Sequence, residues 1–188
     1  MPRIWPDRSP AISVAREHVL ENVASSSSAA GMPKYPMSTL VIENVAFDSA
    51  LAEALVAEVQ QEYVTRYGGP DRTPVDPLQF ASPYGAFFVA TVDGEPIGCG
   101  GLRRHDDGVV EIKRMFVRSA YRRRGHARAL LRALEDRARA SGYRRVILET
   151  GLAQPEAIAL YTSEGYQPID GFGHYKDSTL SRSFSKDL

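Results

Sequence analysis

From Thr39 to the C-terminus, apolar positions recur with two different periods, and the switches between them mark the elements. Thr39 to Val45 reads as a strand. Ser49 to about Tyr67 reads as a helix, with Leu51, Leu55, Val56, Val59 and Tyr63 at helical spacing. Gly68-Gly69-Pro70 ends it, because glycine accepts a positive φ and proline cannot continue the ladder. A polar loop with several prolines follows, from Asp71 to Tyr84. Ala86 to Val92 is a strongly apolar strand, Asp93-Gly94 a type I′ hairpin signal, and Pro96 to Leu102 the returning partner. Asp106-Asp107-Gly108 turns the chain into a third strand, Val109 to Val117. Gly125 to about Ser141 is an amphipathic helix whose stripe is Ala127, Leu130, Leu131, Leu134 and Ala138; Gly142 stops it. Arg145 to Thr150 is a strand, and Pro155 to Glu164 a short helix with proline in its first turn and Gly165 after its end. Two β-like segments, Tyr166 to Ile169 and roughly Leu180 to Lys186, close the chain. The order predicts a mixed α/β sheet built around one strand–turn–helix.

Residues 1–36 follow neither period. Five prolines punctuate them and Ser25 to Ala30 is a Ser/Ala run, too little apolar surface to offset an ordering entropy of roughly 1–2 kcal/mol per residue. Only Ile12 to Val23 places apolar residues near one helical face. The expectation is a disordered tail or a start-site artefact, with Met32 and Met37 as alternative starts; a working arm or targeting peptide is the other reading. The patterned domain is taken as 37–188.

Composition narrows the classes. With 23 basic and 23 acidic residues among 188, the formal charge is zero, so no global field draws nucleic acid or an anionic membrane. No apolar run approaches the roughly 20 residues that span a bilayer. Cys99 is the single cysteine, which fits a reducing cytoplasm. The four histidines are scattered, and no metal site is expected.

The candidate chemistry lies between Val109 and Arg132. An apolar strand runs into Arg122-Arg123-Arg124-Gly125-His126-Ala127, where the amphipathic helix begins. A helix N-terminus presents unpaired N–H groups and about half a positive charge, and small residues at 125 and 127 let the backbone approach a bound group. Those are the requirements for cradling a pyrophosphate. Lys113, Arg114, Arg118 and Arg128 add local basicity. A solvated basic helix face is the plain alternative. A nucleotide-hydrolysing loop is excluded because no Gly-Lys-Ser/Thr follows, and a dinucleotide fingerprint because its glycine triplet is missing.

Arg122-x-x-Gly125-x-Ala127 resembles the Gln/Arg-x-x-Gly-x-Gly/Ala signature of the GNAT acetyltransferase superfamily. Gln154-Pro155-Glu156-Ala157-Ile158-Ala159-Leu160-Tyr161, then Gly165-Tyr166, is similar to that family's Asn-x-x-Ala-x-x-Leu-Tyr-x-x-x-Gly-Phe block. Gln154 and Tyr166 are mild departures. The resemblance covers about Thr39 to Leu188. It implies an α+β fold with a twisted, mostly antiparallel mixed sheet of six to seven strands and about four helices. The implied reaction is acetyl transfer from acetyl-CoA to a primary amine, with a small molecule as the expected acceptor and no metal; a homodimer is left open. A CoA-binding regulatory module, a protein N-acetyltransferase and a nucleic-acid-binding protein are the alternatives.

The same resemblance implies residue roles. Backbone groups of Met115, Phe116 and Val117 would pair with the pantetheine arm, and those of Arg123, Arg124, Gly125, His126 and Ala127 would hold the pyrophosphate, flanked by Arg122 and Arg128. Gln154 would lie near the arm and Tyr161 beside the thioester sulfur, as candidate acid for the thiolate. Glu111, 11 positions before Arg122, is the candidate base; a structural ion pair with Arg114 or another neighbour is its alternative. Tyr63, Tyr67 and the Gly68–Pro77 loop are the candidate acceptor wall, against plain packing. Buried Cys99 is expected to be inert.

Overall fold

A computed structural model describes residues 38–188. The expectations for residues 1–36, the Ile12–Val23 helix included, lie outside the described residues. The elements are β1 (Leu40–Val45), α1 (Ala50–Tyr67), β2 (Gly85–Val92), β3 (Glu95–Asp106), β4 (Val109–Val117), α2 (His126–Ala140), β5 (Arg145–Gly151), α3 (Pro155–Ser163), β6 (Gln167–Ile169) and β7 (Ser181–Asp187). One open seven-stranded sheet runs in the order β1-β2-β3-β4-β5-β7-β6. All neighbours are antiparallel except β4 and β5.

The sheet is covered on both faces, which is why its central strands are apolar at consecutive positions. On one face, Leu130, Leu131, Leu134 and Ala138 of α2 meet Phe88, Leu102, Val110, Ile112, Val146 and Leu148, joined by Tyr161 and Tyr166. Full burial of each α2 leucine contributes about 2 kcal/mol. On the other face, Ala52, Leu55 and Val59 of α1 meet Phe87, Val89 and Cys99. Asp93 and Gly94 both take positive φ (52° and 86°), as a type I′ turn requires. Ser49 caps α1 by accepting from the Ala52 N–H at 3.3 Å.

Four details differ from the sequence expectation. Three α-helices are present among the described residues, not four; the remaining helical pieces are short 3-10 turns such as Pro77–Phe80, in a segment expected to be loop. Phe80 there is buried and stacks on Phe47, with ring centroids 4.7 Å apart. Leu51 is exposed, and Ala52 takes its place in the α1 stripe. β3 extends four residues beyond Leu102, because Arg103, Arg104 and Asp106 are held by ladder bonds to β4 instead of by burial. Glu135, on the buried side of α2, is matched by Lys186 of β7 at 2.8 Å. No helix among the described residues is long and apolar enough to cross a membrane.

Two irregularities open the sheet. β4 and β5 are paired only from Val109–Ile112 against Arg145–Leu148; both strands then continue without pairing to each other. Two residues past the last pair, Arg114 takes φ 57°, and Arg114 and Met115 together stand opposite Gly100 of β3. This bulge adds local twist and turns the rest of β4 away from β5.

Candidate active site

The splay leaves a cleft of about 210 Å³. Ile112 to Met115 form its β4 wall and Glu149 to Gly151 its β5 wall; Gln154, Ala157 and Tyr161 close one side, and Tyr63, Tyr67, Asp71 and Tyr175 the other. Tyr67 lies so close over β5 that a Cβ on Gly151 would come 2.0 Å from its hydroxyl, so a larger residue there would displace the tyrosine. The Tyr67 hydroxyl donates to Gln154 Oε1 at 3.3 Å, joining the end of α1 to the start of α3.

At one end, the backbone dominates. Arg123 and Gly125 take positive φ (61° and 84°), and Gly125 is the N-cap of α2. The loop Arg122 to Ala127 therefore turns so that the helix start is presented outward; a Cβ at Gly125 would meet only open space. The first N–H of the helix bonded to the backbone is that of Ala129, on the Gly125 carbonyl at 3.0 Å. His126, Ala127 and Arg128 thus offer N–H groups to an anion. The arginines are divided. The Arg122 side chain turns away from the loop: its Nε donates to the Val117 carbonyl at 2.7 Å and its Nη2 pairs with Glu62. Arg118 pairs with Glu58 at 2.6 Å and Arg128 with Glu164 at 2.5 Å. Arg123 and Arg124 have no carboxylate partner among the described residues. The His126 imidazole tilts against Tyr121, and burial and Arg124 both lower its pKa.

Between that loop and the cleft runs the β4 segment Met115–Val117. Its Phe116 and Val117 pair with Cys99 and Gly98 of β3, while no strand among the described residues pairs with the opposite edge. Met115 is the one of the three that lines the cleft. The Tyr161 hydroxyl donates to Met115 Sδ at 3.6 Å, and burial raises its pKa, so the phenol is held protonated at the cleft wall.

The other end is built from side chains. Lys113 and Arg114 belong here, not to the basic surround of the helix N-terminus. Arg114, 4% exposed, pairs with Asp71, whose other oxygen accepts from the Thr73 N–H and hydroxyl at 2.8 and 2.7 Å. Burial alone would raise Asp71; the Arg114 guanidinium and the Thr73 hydrogen bonds outweigh it and hold the carboxyl at about 2. The Arg72 N–H donates to the Tyr175 hydroxyl at 2.8 Å, tying the loop after α1 to the segment before β7. Tyr63 is half-buried beside Arg114, and desolvation there raises its pKa.

Glu111 does not line the cleft. It is 1% exposed, and its carboxylate lies between Arg103 Nε at 2.7 Å and Lys113 Nζ at 3.0 Å. It reaches the cleft only through Lys113, whose ammonium lies 3.7 Å from Glu149. Glu149 is the carboxylate in the cleft wall. Its side chain is 7% exposed, its Oε1 is buried without a hydrogen-bond partner, and burial raises its pKa against the opposing pull of Lys113. The loop after α1 was expected at the acceptor wall and supplies Asp71 there, but the sequence reading missed Glu149 and Tyr175. Glu149 stands just past the paired part of β5, on the same face as Lys113, a position that only the strand pairing reveals. Cys99 is fully buried, with burial raising its pKa; its thiol donates to the Arg114 carbonyl at 3.4 Å from behind the cleft wall and does not line the cleft. Among the described residues no group of three or more His, Cys, Asp or Glu could hold a metal ion.

A sheet with one splayed parallel pair, a bulge beside it and a positive-φ turn into a helix defines an acyl-CoA-dependent N-acyltransferase architecture. A sequence model of the acetyltransferase (GNAT) family matches residues 56–166, and the chain belongs to that family. It is 36% identical over 151 residues to the IAA acetyltransferase of Azospirillum brasilense, covering 77% of this chain and 97% of that protein. It is 35% identical over 111 residues to N-acetyltransferase 8 of Homo sapiens, covering 56% of this chain but 49% of that longer relative. A GNAT family acetyltransferase of Elizabethkingia anophelis, solved with acetyl-CoA bound, shares the fold at a TM-score of 0.58 and 18% identity, over 79% of this chain and 98% of its own. The protein is an acyl-CoA-dependent N-acetyltransferase.

Proposed function

We propose that the enzyme transfers the acetyl group of acetyl-CoA to the primary amine of a small molecule in the cleft between β4 and β5. The observation that carries this reading is Glu149 Oε1, buried and unpartnered in the cleft wall where the two strands separate. The coenzyme lies with its pyrophosphate on the N–H groups at the start of α2 and its pantetheine arm along the free edge of Met115–Val117. Its acetyl group then enters the cleft near Tyr161, and the amine comes from the side of Tyr63, Tyr67 and Tyr175. The bridge from Arg72 to Tyr175 narrows that side, which favours a small acceptor over a folded protein surface.

An alkylamine, with a pKa of about 10, arrives protonated and must lose a proton before it can attack. Glu149 accepts it, directly or through one water; a carboxylate whose pKa is raised by burial is a better acceptor than an exposed one. The nitrogen then attacks the thioester carbon, a C–N bond forms, and the C–S bond breaks as the tetrahedral intermediate collapses. A backbone N–H of Met115 or Phe116 donates to the oxyanion, the kind of contact worth about 3 kcal/mol. Tyr161 gives its proton to the departing thiolate. Glu111 acts through Lys113: it fixes the ammonium that faces Glu149 and is a positioning residue, in place of the direct base expected from its spacing.

Incubation with acetyl-CoA and a panel of small amines, peptides and a histone tail, following free thiol and acetylated product, tests the reading. Turnover of small amines supports it; acetylation of peptides alone overturns the small-molecule acceptor. Tyr161→Phe is expected to lower kcat about tenfold with little change in either KM; an unchanged kcat removes its role as acid.

A further inference from the structure

Two polar atoms in the cleft walls are buried and lack a partner: Glu149 Oε1 on β5 and Arg114 Nε on the β4 bulge. Leaving either so costs free energy unless a ligand completes it. They differ in kind, one a hydrogen-bond acceptor and the other a charged donor. Asp71 occupies Nη1 of Arg114 and leaves the Nε edge of the guanidinium unused. The side chains of both residues are more than nine-tenths buried, so neither atom is satisfied as an exposed side chain would be, by bulk water.

The charge balance of the cleft points the same way. Lys113 and Arg114 face Asp71 and Glu149, and behind them Arg103 offsets Glu111. The set is neutral. A ligand with two or three ammonium groups would leave buried positive charge unmatched, whereas one carrying a single positive and a single negative group adds none. Tyr63, Tyr67 and Tyr175 supply a third, largely apolar wall with no further charge.

We infer that the acceptor is an amino acid, or a compound with the same pairing of amino group and carboxylate, held with its nitrogen at Glu149 and its carboxylate at Arg114 Nε. Its side chain lies against the tyrosines. This rests on the small-molecule amine reading above and sharpens it: Arg114 becomes a specificity-determining residue, distinct from the proton acceptor. Arg114 is held in that place by Asp71 and by the bulge that turns it inward.

Matched pairs test it on the unaltered enzyme: L-phenylalanine against phenethylamine, L-leucine against isoamylamine, L-tyrosine against tyramine, each with its amino acid methyl ester, at saturating acetyl-CoA. For at least one pair, the amino acid is expected to exceed its decarboxylated and esterified partners in kcat/KM by at least about tenfold, since a site built to bond a group discriminates strongly against analogues lacking it. Amines or esters acetylated as well as the amino acids overturn the inference and leave the small-molecule reading standing; acetylation of peptides alone overturns both. Arg114→Lys, which keeps a cation for Asp71 and removes the Nε donor, gives a second readout. It is expected to raise KM for the preferred amino acid about tenfold while leaving KM for its decarboxylated partner unchanged; equal changes in both contradict the assignment.

Discussion

The two ends of the cleft are made of different materials. The coenzyme end is backbone: N–H groups at the start of α2, a positive φ at Gly125, and a strand edge from Met115 to Val117. The acceptor end is side chains: Asp71 from the loop after α1, Lys113 and Arg114 from β4, Glu149 from β5, and Tyr175 from the connection to β7. A backbone site depends on local conformation, so it tolerates changes of most side chains around it. A side-chain site depends on distant segments meeting, so single substitutions should be felt sharply.

The largest expected effect is Glu149→Gln. Removing a proton acceptor typically costs between 10² and 10⁴ in rate. We expect kcat/KM for the amine to fall about 300-fold while acetyl-CoA binding, measured by calorimetry, changes less than twofold. A comparable loss of acetyl-CoA affinity would mean that the two ends are not separable. Asp71→Asn comes next, through stability. It leaves Arg114 buried without its counter-charge, at a cost of about 3 kcal/mol at neutral pH, read from urea unfolding. Because Asp71 has a folded pKa near 2, below its unfolded value, its contribution is full above the unfolded pKa of about 4 and fades as the pH falls toward 2. The gap between wild type and variant should narrow on acidification; a constant gap contradicts the ion-pair account.

Gly125→Val tests the backbone end. A β-branched residue at φ 84° is strained by roughly 1–2 kcal/mol, so acetyl-CoA should bind about tenfold more weakly with the acceptor KM unchanged. The smallest effect is expected from Arg123→Gln with Arg124→Gln. These side chains lack carboxylate partners among the described residues and lie near the loop. Their loss should weaken acetyl-CoA a few-fold at low salt and by less at 0.5 M, where screening is strong. An effect as large as that of Gly125→Val would make the coenzyme end a side-chain site after all.

The same division explains what could be read from the chain. The Arg122–Ala127 turn, the α2 stripe from Leu130 to Ala138 and the Asp93-Gly94 hairpin are local, each set by a few neighbouring residues, and are where the pattern placed them; Ala127 alone of the expected stripe is only half-buried. Glu111 drew attention because it lies at a suggestive distance from Arg122, yet spacing along a strand says nothing about cross-strand partners. Arg103, 8 residues away across the hairpin, takes up one oxygen and leaves Glu111 behind Lys113. Glu149 gave no such cue: its meaning depends on β4 and β5 separating one residue earlier, which follows from the bulge at Arg114. Nothing in the run Lys113-Arg114-Met115 announces that bulge. The basic cluster was overcounted for the same reason, since Glu58, Glu62 and Glu164, remote in sequence, claim Arg118, Arg122 and Arg128.

The assignment of proton transfer to Glu149 is tested most directly by the pH dependence of kcat/KM for the amine in wild type, Glu149→Gln and Glu111→Gln. Glu149 must be ionised to accept a proton, so the wild-type rate should rise through a carboxylate pKa that burial has raised. That limb should vanish in Glu149→Gln and persist, shifted, in Glu111→Gln. A limb that survives in Glu149→Gln and is lost in Glu111→Gln would return the base to β4 and contradict the account.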